Sequence, residues 1–383
     1  MNEVPIYEVK LYLNGNLLGD CREYAQGLKY SRKRTKVGAD SIDFTINDQL
    51  FDKWCKARNF TLDDLLKPMA LECRVVRNGI ELVGGFLATM PAYAPLQASA
   101  NLALHFDGFL NLLGGVYIRN TSNNLPLGTI SGKAGNLISQ MIMLAESISS
   151  SAGKAYGLKT GHIDNMASIV NDFDNYKTVK EWICERCDNT SGAGKFEVYF
   201  DADKTYHIYK ESNFGMIIKD WVANFPTILN GKSASSLSAP EVSGFYSAII
   251  GLGAGDVSSI PAENTALYGF LSDANAIAEY GYYEAMYQES SISVASTLMR
   301  NLNTQLKTNS DPQWQPQITL HGKQVAPKPS GSGKIWIGDI ITINNSLDLT
   351  GMTNGKFRVN ELNVEVSAAN NETITPVLER YNG

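Results

Sequence analysis

Apolar and polar residues alternate over short runs along much of the chain, and turn residues close each run. That is the pattern of strands with one buried face. The densest such stretch is 334–366. There Ile335, Ile337, Ile341 and Ile343 are β-branched, and Gly338-Asp339 interrupts them. Asn354-Gly355 then separates Leu349 and Met352 from Phe357-Arg358-Val359, a short-range hairpin signal. Leu362, Val364 and Val366 alternate with Asn363, Glu365 and Ser367. The N-terminal region repeats the theme. Residues 7–13 alternate and meet Asn14-Gly15, which predicts an opening hairpin. Residues 28–47 read as a second ribbon, with Ile42, Phe44 and Ile46 on one face of its return strand. Its tip is Arg32-Lys33-Arg34-Thr35-Lys36 with Gly38. Residues 51–66 are more helical, with Trp54, Leu62 and Leu66 apolar. After Pro68 a third hairpin turns at Asn78-Gly79, and Gly84-Gly85 offers a bulge or a close backbone approach. Residues 98–106 alternate again.

The middle of the chain changes period. Leu137, Ile138, Met141, Ile142, Leu144 and Ala145 recur at helical spacing over 134–148, and a Ser-, Ala- and Gly-rich run over 147–157 ends the helix. Thr178-Val-Lys-Glu181 is a capping box that opens a second helix carrying Val179, Trp182 and Ile183, and residues 191–194 stop it. Two alternating runs flank Asp201-Ala202-Asp203, so this helix leads into a hairpin. A strand over 245–250 ends in the glycine-rich segment 251–255. An amphipathic helix over 291–307 places Val294, Leu298, Leu302 and Leu306 on one face, and Pro312 and Pro316 stop it. A strand over 317–321 and a loop over 327–333 follow. The last strand spans 372–378, with Pro376 at a sheet edge or at the strand's end. The expected class is α+β and β-rich: two small β-barrel domains with an α+β insert and connecting helices. The expected domains are a first barrel at 1–119, an α+β middle at 120–290, and a helix plus last barrel at 291–383.

Composition narrows the function. The chain has 383 residues with 44% hydrophobic and 19% charged, so it is globular. Asn, Ser, Thr and Tyr fill the gap left by charge, which suits surfaces buried in an assembly. A net charge of −6 lacks the dominant basic face of a nucleic-acid binder, so no sequence-specific nucleic acid is expected. The N-terminus has no charged region followed by an apolar core, and no apolar run approaches the roughly 20 residues of a membrane span. The five cysteines are scattered and odd in number, which fits a reducing compartment rather than a disulfide framework.

Most candidate chemistry dissolves. Cys184 and Cys187 have CxxC spacing, but no second pair completes a zinc set, and two cysteines on a packed helix is the reading preferred. Gly251-x-Gly253-x-x-Asp256 lacks the third glycine of a dinucleotide loop. Residues 330–334 resemble a phosphate loop, but Lys328 stands at the first glycine position and Ile335 replaces the hydroxyl ligand. Asp201-x-Asp203 begins like a calcium loop, and Thr205 and Tyr206 break it. The four histidines make no hydrolase motif, and His105 and His207 read as hydrogen-bonded structural groups in strands. No cofactor, no metal and no catalytic residue is expected. The basic run Arg32, Lys33, Arg34 and Lys36 reads either as a solvated hairpin tip or as an electrostatic contact with an acidic partner.

The order of the elements carries a resemblance. The strand over 41–47, the step from Pro68 through residues 72–87 with its Asn-Gly turn, and the helix-then-hairpin at 178–209 resemble the hub family of bacteriophage tail tips and baseplates. So does the closing order of helix 291–307, strand 317–321, Ile337–Ile343 and 355–366. The resemblance implies a structural, non-enzymatic virion protein at the tail tip, assembled in the host cytoplasm. It implies a homotrimer whose six barrels continue a sixfold tube and close or guide the DNA channel. The implied partners are the distal tail protein ring, the C-terminus of the tape-measure protein, and tail fibre or receptor-binding proteins. Family members often carry a long C-terminal extension; the chain ends at Gly383, which leaves a wall-degrading role to another protein. Two other readings remain open. One is the hub of a non-viral injection device. The other is a carboxylate-dependent glycan hydrolase, which would show a deep cleft with two acids about 5–10 Å apart.

Overall fold

The structure is a computed structural model. It describes residues 4–91, 101–173, 176–187, 195–215, 217–225, 234–243, 245–256, 264–290, 292–310, 313–321, 326–327, 334–345 and 355–381. The β-rich α+β class expected from the patterning is what the chain adopts.

Two Asn-Gly turns set the N-terminal hairpins. Asn14 and Gly15 have φ of 49° and 82°, and Asn78 and Gly79 have 48° and 77°. Those left-handed values match the right-handed twist of the flanking strands. The first turn joins Tyr7–Leu13 to Asn16–Asp20, and the second joins Leu71–Arg77 to Ile80–Leu87. In the second ribbon Ala25–Lys33 pairs with Ser41–Asn47, whose Ile42, Phe44 and Ile46 are buried as predicted. Asn101–Gly108 adds beside it.

The two ends of the chain form one sheet. Gly355–Val366 pairs antiparallel with Ala25–Lys33, from Glu361 opposite Lys33 to Val366 opposite Leu28. Pairing then continues outward through Glu372–Arg380, Gln313–His321 and Ala234–Ser243. On the other side it runs through Ser41–Asn47 and the N-terminal hairpins to Asn16–Asp20. Ile340–Asn345 pairs with Gly355–Val366 off this path, and Ile217–Phe225 lies parallel to it. The regions expected to be two small barrels thus contribute to one 13-stranded sheet, to which Ile217–Phe225 and Ala234–Ser243 of the expected middle region also belong. Among the described residues this pairing closes on no ring. One core lies under both halves, with Val9, Leu28 and Phe106 clustered with Ile318, Phe357, Leu362 and Ile374.

A second core holds the α+β part. Helix Ala134–Ser151 buries Leu137, Ile138, Met141, Ile142 and Ala145. Helix Val179–Cys187 opens on the predicted capping box: the Thr178 amide donates to Glu181 Oε2 at 2.9 Å, and the Glu181 amide to Thr178 Oγ1 at 3.2 Å. The hairpin Phe196–Phe200/Thr205–Lys210 gains Lys159–Ile163 as a parallel third strand. Gly84 lets this hairpin approach the large sheet, because a Cβ there would stand 2.4 Å from the Ala202 carbonyl oxygen.

A third, small core packs helix Ala295–Asn309 through Leu298, Leu302 and Leu306 on a sheet of Ala248–Leu252, Tyr268–Ser272 and Glu284–Gln288. The helix starts later than the periodicity suggested, and Val294 caps it instead of lining its buried face. The strand expected at 245–250 is Ala248–Leu252. Pro376 sits inside Glu372–Arg380, opposite Leu362, in a strand that lies between Gly355–Val366 and Gln313–His321 and not at a sheet edge, and the latter pairs with it at Thr373 and Ile374. Residues 98, 191–194, 291, 312, 328–333, Leu349, Met352 and Asn354, which carried sequence expectations, lie outside the described residues.

Candidate functional site

The ribbon tip is where the three parts of the chain meet. Its basic run is directed inward. Arg32 is 1% exposed and Arg34 is 2% exposed. Burying a guanidinium is costly unless it is paired: Arg34 has a partner at every nitrogen, and Arg32 is paired through Nη1 and Nη2 while its Nε has no hydrogen bond. Arg34 donates through Nε to Glu197 Oε1 at 2.6 Å, through Nη2 to Glu211 Oε1 at 2.6 Å, and through Nη1 to Asn360 Oδ1 at 2.9 Å. Arg358 joins Glu211 from the other side at 2.9 Å. Lys36 reaches Glu379 Oε2 at 2.5 Å, and Asn360 donates to the same oxygen at 3.1 Å. Burial would raise the Glu379 carboxyl, but Lys36, Asn360 and Arg34 together outweigh it and hold the group below its ordinary range. Thr35 stitches the tip to the hairpin: its amide donates to Glu197 Oε2 at 2.9 Å, and the Val198 amide donates to its Oγ1 at 2.7 Å.

Arg32 reaches the same hairpin by another route. Nη1 pairs with Asp40 at 2.7 Å, and Nη2 donates to the Phe200 carbonyl at 3.0 Å. Its guanidinium lies 4.4 Å over the Tyr199 ring and 5.5 Å from Trp336. Of the predicted contact residues, Arg32 and Arg34 therefore spend their charge within the chain. Lys33 and Lys36 keep partial exposure, beside Glu361 and Glu379. A second buried cluster joins the two halves of the large sheet: Arg77 Nε and Nη2 bind Glu372 at 2.5 and 2.9 Å, and the Tyr7 hydroxyl donates to Glu372 at 2.6 Å.

Beside the junction lies a cavity of about 400 Å³. It is lined by Tyr199, Tyr209, Phe214 and Trp336, with Asp201 and His207 among its polar groups. Alternation on the hairpin explains this. Phe196, Val198, Phe200, Tyr206 and Ile208 face the second core, so Tyr199, His207 and Tyr209 face the other way. His207 is fixed by two bonds: Nδ1 accepts the His162 amide at 3.0 Å, and Nε2 donates to Asp201 Oδ2 at 2.9 Å. Asp339, also on the wall, accepts the Trp336 amide at 2.8 Å and so holds the turn before Ile340–Asn345.

The other sequence candidates have structural places. His105 bonds Asp43 and Asp107, which agrees with its reading as a hydrogen-bonded structural group, as does the His207–Asp201 pair. Cys184 and Cys187 lie on the packed helix, where their thiols donate to the Thr35 and Cys184 carbonyls, and burial pushes the Cys184 thiol up, away from nucleophilic use. Gly251 packs on Leu302. Sequence reasoning missed the acidic partners Glu197, Glu211, Glu372 and Glu379. Glu197 and Tyr199 share the hairpin face that alternation assigns to solvent, and aromatic residues at Tyr199, His207 and Tyr209 were the available signal that this face is covered as well.

Residues 241–375 match the family model described as prophage endopeptidase tail. No curated protein matches the sequence. Among solved structures, the chain is similar to a 43 kDa tail protein of prophage MuSo2 from Shewanella oneidensis, at 10% identity and a TM-score of 0.60, covering 97% of this chain and 98% of that one. It is similar to a tail protein from Neisseria meningitidis, at 12% identity and a TM-score of 0.60, covering 98% and 96%. It is also similar to a prophage tail protein from Listeria monocytogenes, at 9% identity and a TM-score of 0.51, covering 97% and 94%. These likenesses show the fold. The family match adds to them over residues 241–375.

Proposed function

We propose that the chain is the homotrimeric hub at the distal end of a phage tail, joining the tail tube to the tip and closing or guiding the DNA channel. The observation that carries this is the fold shared over nearly the whole length of both chains with two tail proteins. The family match over residues 241–375 adds to it. On this reading the distal tail ring, the tape-measure C-terminus and fibre or receptor-binding proteins are its partners, and the mature location is the virion tail tip after assembly in the host cytoplasm. Of the basic run, Lys33 keeps the most exposure, with Glu361 at 3.5 Å, and is the member that would contact an acidic partner. We keep the division at residues 119 and 290 as the functional one: the outer two regions carry the ring, and the middle region is the insert. The role is non-enzymatic. The cavity does hold two carboxylates, Asp201 and Asp339, but one is bound to His207 and the other holds a turn. Among the described residues no helix is long and apolar enough to cross a membrane.

The test is the mass of the purified chain by light scattering over a concentration series, with and without the distal tail ring. A species near three times 41.9 kDa, alone or on the ring, is expected. A chain that stays monomeric and does not co-sediment with the ring overturns the proposal.

A further inference from the structure

The aromatic cavity beside the junction has a chemistry of its own. Four rings, Tyr199, Tyr209, Phe214 and Trp336, line it. Tyr209 and Phe214 have centroids 5.7 Å apart, Tyr199 and Phe214 5.9 Å, and His207 lies nearly parallel to Tyr209 at 5.9 Å and 11°. Ring faces carry partial negative charge. The charged residues that line the cavity among the described residues are acidic, Asp201 and Asp339, and the nearby cation Arg32, stacked on Tyr199 and Trp336, is paired with Asp40. Both ring nitrogens of His207 are engaged, Nδ1 by the His162 amide and Nε2 by Asp201. Asp201 stands at the opening with its side chain 48% exposed. Negative ring faces beside a carboxylate favour a cation over a neutral or anionic group.

The chain contains its own precedent. Arg32 lies against two of the same rings, 4.4 Å from Tyr199 and 5.5 Å from Trp336, and its field is shared with Asp201. A planar guanidinium therefore already stacks on this wall, and stacking of that kind suits arginine better than lysine.

We propose that the cavity is a docking site for an arginine side chain of a partner protein, with the guanidinium against Tyr209 and Phe214 and paired with Asp201. Charge complementarity selects this occupant, and the cavity's size admits one side chain and no folded element. The proposal rests on the cavity alone and holds whether or not the chain trimerises.

The probe is Nα-acetyl-arginine amide, titrated into the full chain and followed by saturation-transfer NMR and tryptophan fluorescence. Nα-acetyl-glutamine amide and N-acetylglucosamine serve as comparisons. Saturable binding of the arginine probe is expected, with a dissociation constant on the order of millimolar. Asp201→Asn, which still accepts from His207, should weaken it by about fivefold and remove its salt dependence. Tyr209→Leu should abolish it, with the melting temperature of each variant recorded to show that the fold is kept. Equal binding of the glutamine probe, binding of the sugar alone, or no saturable response to the arginine probe in the tens of millimolar would each overturn the proposal.

Discussion

Arg34 shows how a residue in a polar sequence context becomes internal. A run of four cations at a ribbon tip reads as solvated, because nothing adjacent in sequence can neutralise it. Its partners lie 163, 177 and 326 positions away, at Glu197, Glu211 and Asn360. The charge pattern was legible; its destination was a tertiary fact. The pairing makes a specific prediction. Arg34→Met removes the cation but leaves Glu197, whose side chain is 3% exposed, buried without its main counter-charge. Breaking a buried pair from one side costs about 3–5 kcal/mol, whereas replacing both partners by apolar groups of similar volume is often near neutral. Urea unfolding of Arg34→Met should show that loss, and Arg34→Met/Glu197→Met should recover much of it. A double variant no more stable than the single would mean that the cluster matters through Glu211 and Asn360 rather than through this pair.

At the scale of the element, Ser41–Asn47 and Asn101–Gly108 place Asp43 directly opposite His105, with Asp107 two residues further along the same face. Burial would lower the affinity of His105 for a proton, but the bonds and charges of Asp43 and Asp107 outweigh it and raise the group above its ordinary 6.5. The sign then follows from linkage. A raised value in the folded state gives stability that is fully present below the unfolded value and is lost as pH rises through the folded one. The melting temperature of the wild type should therefore exceed that of His105→Gln most at acid pH below 6.5, and the gap should close on the alkaline side. A gap independent of pH would assign His105 a packing role only. Elements such as these strands were legible because Ile42, Phe44 and Ile46 alternate strictly and Asn-Gly turns mark the hairpin ends. Boundaries were less so. Helix Ala295–Asn309 begins after Val294, although the apolar spacing starts there, and the aromatic cavity was hidden because Tyr199, His207 and Tyr209 lie on the hairpin face that alternation assigns to solvent.

The arrangement of the whole molecule was the least legible, since alternation fixes which face of a strand is buried but not which strand lies beside it. The sequence reads as two separate barrels at either end. The structure instead joins Gly355–Val366 to Ala25–Lys33 and puts one core under both. Val359 lies near that seam. It is 0% exposed and clusters with residues from both ends, and its amide and carbonyl hold the turn at Gly338 and Asp339. An unpaired carboxylate at this position costs several kcal/mol, a large share of the total stability of a typical domain. If the two halves were independent, Val359→Asp would melt the C-terminal half and leave the N-terminal hairpins folded, so calorimetry would show an early transition split from a later one. With a continuous sheet and a shared core, the loss is transmitted through Glu361–Lys33 and Val366–Leu28 to the ribbon Ala25–Lys33/Ser41–Asn47, and on through Asn101–Gly108 to the hairpin that turns at Asn78-Gly79. We expect one transition, shifted down as a unit, with amide exchange in Tyr7–Leu13 and Leu71–Arg77 accelerating together with that in Glu372–Arg380. Retained protection of the N-terminal hairpins in the variant would restore the picture of two autonomous barrels.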